Sequence, residues 1–282
     1  MFRIVPLRRD ASVRHLWQSD GGASGQTGLM NTMKRKKIRI IQVSDCHVPA
    51  DPNALYRGQS ADENLSGIVR AIRKWKPGLV MLTGDVSEDG SRESYERTSR
   101  LLAQTGADLI VLPGNHDDVN LMRQYFPAGP WDGPYVHRMG DWQILMLDST
   151  VPGQVSGSFT TDELKLLQQV LQGNNKRHSL VALHHQPVLI GAAWIDRYRL
   201  ESPEKFFAVI DRFPQVRCIS WGHVHQDFCV QREGCSLLGA PSSVANSLPG
   251  TERFALDPAG PACRWLELSA DGSVETGILY SA

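Results

Sequence analysis

Five short groups of side chains close five separate apolar runs: Asp45 and His47; Asp85; Asn115 and His116; His184 and His185; His223 and His225. Carboxylates, a carboxamide oxygen and imidazoles share one chemistry, the binding of hard or borderline metal ions. Asp45, His47, Asp85, Asn115, His184, His223 and His225 together offer seven nitrogen and oxygen donors. That is too many for one tetrahedral ion, and the set lacks the thiolates of structural zinc. It suits two ions about 3.5–4 Å apart, of iron, manganese or zinc, with one donor shared. Asp85 is the natural bridge, because a carboxylate can present an oxygen to each ion. Asp45 and His47 stand two residues apart, as do His223 and His225. In extended backbone that spacing puts both side chains on one face and turns the intervening Cys46 away as a buried filler.

Charge then points to a substrate. Two divalent ions, offset by Asp45, Asp85 and a bridging hydroxide, leave a net charge of about +1. Such a centre attracts a phosphate anion and polarises its P–O bonds. Each group alone has an ordinary explanation, since Asn and Asp are common turn residues and Gly114 can serve a sharp turn. The recurrence of competent donors at five strand ends carries the reading.

The elements that must position these groups follow from hydrophobic period. Ile38 to Val43, Leu79 to Leu82, the run from Asp108 to Leu112, Leu180 to Leu183 and Val216 to Trp221 read as strands. Residues 61–75 and 91–104 read as helices between the first three, an alternation that predicts parallel pairing with crossover helices. Open α/β folds keep ligands at the carboxyl edge of such strands, so donors some 180 residues apart can share a pocket. Tyr135 to Met139 and Trp142 to Leu147 flank a hairpin turn at Gly140-Asp141. Thr160 to Glu163 predicts a capping box opening a helix with Leu164, Leu167 and Leu171 on one face. A short helix is expected over 203–213, and the tail alternates strands (226–239, 264–268, 274–280) with Pro- and Gly-rich loops.

Composition bounds the alternatives. The 282 residues hold 30 basic and 30 acidic side chains and no net charge, so bulk charge recruits neither nucleic acid nor a membrane surface. No run reaches the ~18 apolar residues of a membrane span. The five cysteines are an odd number without CxxC spacing, which fits a reducing cytoplasm. Of nine histidines, six directly follow apolar runs. Residues 1–36 read as an extension outside the fold, with 37–282 as one domain. Gly21 to Gly28 is coreless, and Arg3, Arg8, Arg9 and Arg14 invite a transit-peptide reading. A disordered tail or an upstream start is the simpler account. Lys34 to Lys37 reads as a solvated basic flank.

The ordered motifs Asp45-Cys-His47, Gly84-Asp85, Gly114-Asn-His-Asp117, His184 and Gly222-His-Val-His225 resemble the calcineurin-like metallophosphoesterase superfamily. The wider wording is similar to the class III 3′,5′-cyclic-nucleotide phosphodiesterases. It comprises Ile40 to His47, Trp142 to Ser149, Leu183-His-His-Gln-Pro187, Gly222 to Gln226, Ala240-Pro-Ser-Ser243 and Arg264 to Gly272. The resemblance implies a four-layer α/β/β/α sandwich of two mixed sheets flanked by helices. It implies one ion on Asp45, His47, Asp85 and His225, and a second on Asp85, Asn115, His184 and His223. It also implies hydrolysis of cyclic AMP to 5′-AMP by attack of a metal-bridging hydroxide. Asn115 would help hold the phosphate, and His116 would contact it and protonate the leaving 3′-oxygen.

Other residues receive supporting roles. His185 is structural, and Asp117 and Asp118 cap the next helix, with Asp117 also able to orient His116. Asp148, at a sixth strand end, is structural. Trp194 and Tyr198 either stack on a base or pack, with packing preferred. Rival readings are another phosphoesterase of the same scaffold, acting on glycerophosphodiesters, 2′,3′-cyclic nucleotides or other phosphate esters, and a non-catalytic metal-binding scaffold. The expected partner is a small cyclic nucleotide or other phosphodiester. No nucleic acid or membrane is expected, and a homodimer is common among relatives.

Overall fold

A computed structural model describes residues 37–174 and 176–281. The expectations for residues 1–36 therefore lie outside the described residues. Of the basic run only Lys37 is described, and its ammonium pairs with Glu267 and Glu275.

The chain opens with β1 (Ile38–Val43), α1 (Ala61–Trp75), β2 (Leu79–Thr83), α2 (Arg92–Ala103), β3 (Asp108–Leu112) and α3 (Val119–Tyr125). It continues through β4 (Tyr135–Met139), β5 (Trp142–Met146), α4 (Thr161–Gln172), β6 (His178–Leu183), α5 (Ala193–Asp196) and α6 (Pro203–Ile210). It closes with β7 (Val216–Trp221), β8 (Phe228–Arg232), β9 (Cys235–Gly239), β10 (Ala262–Leu268) and β11 (Val274–Tyr280). One sheet runs β11-β10-β1-β2-β3 and the other β4-β5-β6-β7-β9-β8. β1-β2-β3 and β5-β6-β7-β9 pair in parallel, while β10, β11, β4 and β8 pair antiparallel.

Period-two alternation builds the layers. Ile40, Leu79, Met81, Ile110 and Leu112 face the second sheet, where they meet Ile144, Met146, Leu180 and Cys218. Their neighbours Ile41, Val43, Val80, Leu82 and Val111 face the helices and pack with Leu65, Ile68, Ile72 and Met122. A third cluster seats Leu164, Leu167 and Leu171 of α4 and Phe206 and Ile210 of α6 on the outer face of the second sheet. Three cores between four layers give the α/β/β/α sandwich. Each fully buried leucine contributes about 1.5–3 kcal/mol.

Local signals set the helix ends. Ser60 accepts from the Glu63 amide, and α1 stops at left-handed Lys76 before Pro77-Gly78. Thr160 and Glu163 form the expected reciprocal capping box. Asp118, not Asp117, caps α3 through the Leu121 amide. The helix expected over 203–213 ends at Ile210. Among the described residues no helix is long and apolar enough to cross a membrane.

Candidate metal centre

β1, β2 and β3 end side by side on one sheet, and β6 and β7 end side by side on the other. These five ends carry every predicted donor. Pairing continues past the strands: Asp45 N–H donates to Gly84 O (3.0 Å), His47 N–H to Asp85 O (2.9 Å) and Val48 N–H to Val86 O (3.1 Å). The backbone there is not extended. Asp45 (φ 52°), His47 (41°), Asp85 (46°), His223 (66°) and His225 (48°) are left-handed, five of nine such non-glycine residues among those described. This corrects the extended-segment expectation for Asp45/His47 and His223/His225. Side chains two apart share a side because both residues turn left-handed, a sparsely populated state that clusters at functional sites. Gly84 (φ 88°) sits among them, and a Cβ there would meet His184 Nδ1 at 2.3 Å.

The donors converge. His47 Nε2 lies 3.2 Å from His225 Nε2, and His225 Nε2 lies 3.4 Å from Asp45 Oδ1. His184 Nε2 lies 3.2 Å from His223 Nδ1. Asp85 Oδ2 stands between these halves, 3.6 Å from His47 Nε2 and 3.5 Å from His184 Nε2. Its other oxygen accepts from the His116 amide at 3.0 Å. One oxygen of Asp85 thus faces both halves, rather than one oxygen facing each.

The residues fit metal ions on their own chemistry. His47 Nδ1 faces Glu88 Oε2 (2.7 Å) and His225 Nδ1 faces Ala245 O (2.8 Å). Both partners are acceptors, so each Nδ1 must carry the proton, and each neutral ring then aims a lone pair from Nε2 at the other. Two lone pairs 3.2 Å apart repel unless a proton or cation joins them. Burial holds His47 below its ordinary value, against protonation. Asn115 Oδ1 and His223 Nε2 are buried without a hydrogen-bond partner, and such atoms cost stability unless a ligand satisfies them. Burial opposes charge on Asp85, yet His184, His47 and His116 outweigh it and hold the carboxyl well below the usual range. Burial likewise opposes charge on His184, but Asp85 and Asp45 raise it to about 9.

A model of calcineurin-like phosphoesterases matches residues 38–227. The chain belongs to that family. The 3′,5′-cyclic adenosine monophosphate phosphodiesterase CpdA of Pseudomonas aeruginosa is 38% identical to this phosphoesterase over 243 residues, 86% of this chain and 89% of that one. The protein of the same name in Escherichia coli K12 is 33% identical over 245 residues, with the same two shares, 86% and 89%. A dimetal phosphatase from Danio rerio superposes with a TM-score of 0.60 at 15% identity, over 87% of this chain and 99% of its own, which speaks for the fold.

Other roles in the phosphoesterase become visible in three dimensions. His185 clusters with His184 and His223, but both of its nitrogens are engaged. Nε2 donates to Val155 O (3.0 Å), and Nδ1 accepts from the Ser149 hydroxyl (2.9 Å). Asp117 neither caps α3 nor touches the His116 ring. It accepts from the amides of Gly114 (2.9 Å), Val86 (3.2 Å) and Ser87 (3.0 Å) and from the Tyr95 hydroxyl (3.1 Å). It therefore ties the Gly114–Asp117 turn to the end of β2. Asp148 accepts from Thr150 and forms a local turn. Cys46 is buried with its thiol beside Ser243.

Sequence reasoning missed the groups that orient the imidazoles. Thr83 O accepts from His184 Nδ1 (2.9 Å) and Glu88 from His47. The Ala240–Ala245 loop, of which the resemblance covers Ala240 to Ser243, adds two more such contacts. In the fold its Ser242 hydroxyl donates to Asp45 O (2.8 Å), and its Ala245 carbonyl fixes His225. Backbone carbonyls leave no mark in a sequence, and Glu88 has no spacing that separates it from any exposed acid.

Proposed function

We propose that this phosphoesterase hydrolyses the cyclic phosphodiester of 3′,5′-cyclic AMP to 5′-AMP. The carrying observation is Asp85 Oδ2 placed between His47 and His184, in a chain 38% identical to a cyclic AMP phosphodiesterase. Asp45, His47, Asp85 and His225 would hold one ion, and Asp85, Asn115, His184 and His223 a second. When bound, the pair supplies activation of water and charge stabilisation at the phosphoryl oxygens.

The chain's own residues do the rest. The His116 side chain is 36% exposed at the mouth, with Nδ1 3.0 Å from Glu88 O and 3.4 Å from Glu88 Oε2. Nδ1 is thereby held as a donor, and Nε2 is the nitrogen left to meet substrate. Burial works against its charge, but Asp85 and Glu88 raise its pKa. To act as an acid the ring must take up a second proton on Nε2, since Nδ1 already donates to Glu88. The oxygen of a water that has given one proton to solvent bonds to phosphorus, the P–O3′ bond breaks, and His116 delivers a proton to the departing 3′-oxygen and regains one from solvent. The five cysteines are free, which supports a reducing compartment such as the cytoplasm.

A turnover panel with metal analysis tests the reading. Cyclic AMP, cyclic GMP, 2′,3′-cyclic AMP, a glycerophosphodiester and a phosphomonoester are compared on protein of known metal content. Cyclic AMP should turn over fastest, with 5′-AMP as product. Faster glycerophosphodiester cleavage would replace the substrate, and no turnover at two ions per chain would leave a scaffold.

A further inference from the structure

Three segments that carry none of the seven donors meet over His47 and His225. Tyr56 lies flat on the His47 ring, with centroids 4.0 Å apart and planes within 5°. Trp194 on α5 and Phe254 each stand edge-on to His225 at 6.2 Å, and edge-on to one another at 5.4 Å. Arg57 is exposed. Its guanidinium carbon lies 3.9 Å over the Phe254 ring, and its Nε donates to the Tyr56 hydroxyl at 3.1 Å. Leu55 and Leu256, 62% and 46% exposed, flank the group in sequence.

Packing explains Tyr56, which seals the back of His47. It does not explain the rest. Trp194 is partly exposed and forms an aromatic wall with Phe254 beside His225. Arg57 and Gly58 form a two-residue left-handed turn (φ 48° and 78°) between Tyr56 and Gln59, and this turn sets the exposed Arg57 cation over the partly buried Phe254 ring. A guanidinium stacks on flat π systems through either face. The chemistry wanted here is a flat aromatic ring carried next to a phosphate.

We propose that Arg57, Phe254 and Trp194 form the nucleobase subsite. A purine one ribose away from the phosphate lies against the Arg57–Phe254 pair with an edge toward the Trp194 ring. The assignment rests on the cyclic-nucleotide reading above, and it names the residues that give the site its preference for a nucleotide over a bare phosphate ester.

Calorimetry on the manganese-loaded full-length protein tests it, with 5′-AMP, ribose 5-phosphate and inorganic phosphate as probes. The wild type should bind 5′-AMP about tenfold or more tighter than ribose 5-phosphate, the range of one stacked base. Phe254→Leu and Arg57→Ala should each remove most of that preference, leaving ribose 5-phosphate affinity and manganese content unchanged. Trp194→Ala removes the ring at the purine edge and should weaken 5′-AMP alone. The subsite is refuted by equal affinity of the wild type for both nucleoside and sugar phosphates, or by variants that lose both equally. Loss of manganese in Phe254→Leu refutes it too, since Phe254 would then merely prop His225. Cyclic AMP turnover, measured alongside, separates the two assignments. A wild type that prefers 5′-AMP but leaves cyclic AMP intact sinks the substrate and leaves the subsite standing.

Discussion

Oε2 of Glu88 lies 2.7 Å from Nδ1 of His47, so a carboxylate 37% exposed at the surface sets the tautomer of an imidazole that is almost wholly buried. Carboxylate partners of this kind raise the basicity of a ligating histidine and fix its ring. Glu88→Ala should therefore weaken metal binding by about 10- to 100-fold, with Glu88→Gln retaining part of it. Competition titration against a chelator reads this directly. An unchanged affinity in Glu88→Ala would leave the contact without consequence.

Asp85 and His116 should separate cleanly. Asp85 Oδ2 faces both halves of the donor set, so Asp85→Ala should lose both ions together with turnover. The His116 amide donates to Asp85, while its ring stands edge-on to His47 at 4.9 Å and is 36% exposed. His116→Ala should keep both ions and lower kcat by about 10²–10⁴, the range of general acid catalysis. Metal loss in that variant would show His116 to be a donor.

Asp117 predicts a stability effect from geometry. Three amides and a hydroxyl donate to one carboxylate. Asp117→Ala strands all four, which should cost about 1–3 kcal/mol in chemical denaturation of the metal-free protein. Metal affinity should fall with it, because Val86 and Ser87 adjoin Asp85. A variant as stable as the parent would show that water replaces the carboxylate freely.

Proton competition sets a pH dependence on metal uptake. In the metal-free protein Asp85 and Asp45 hold His184 at about 9 against burial. Below that value the ring carries a proton that an incoming ion must displace. Apparent affinity should thus climb about tenfold per pH unit for that single proton and level off near pH 9. A titration series from pH 6.5 to beyond 9, roughly spanning free histidine to that limit, checks it. A flat profile would mean that no proton leaves His184.

The gathering of these seven side chains at neighbouring strand ends was legible because competent donor types recur, in order, after five apolar runs. The sandwich was legible because period-two runs alternate with capped amphipathic helices. Spacing could not reveal backbone hand, which is why Asp45, His47, His223 and His225 read as extended but fold left-handed. Asp117 read as a cap because its neighbour Asp118 is one. Sequence position alone cannot say which of two adjacent acids turns inward. α5, only four residues long, is too short to show a helical period, so the helix that carries Trp194 leaves no mark in the sequence.

Asp45, His47, Asp85 and Asn115 hang from one sheet, and His184, His223 and His225 from the other. Ions shared among them would rivet the two halves of the sandwich together, and whatever binds only the folded chain raises its resistance to unfolding. A cell starved of metal would then lose more than catalytic rate. The phosphoesterase itself would open more often, meet proteases sooner and be cleared faster.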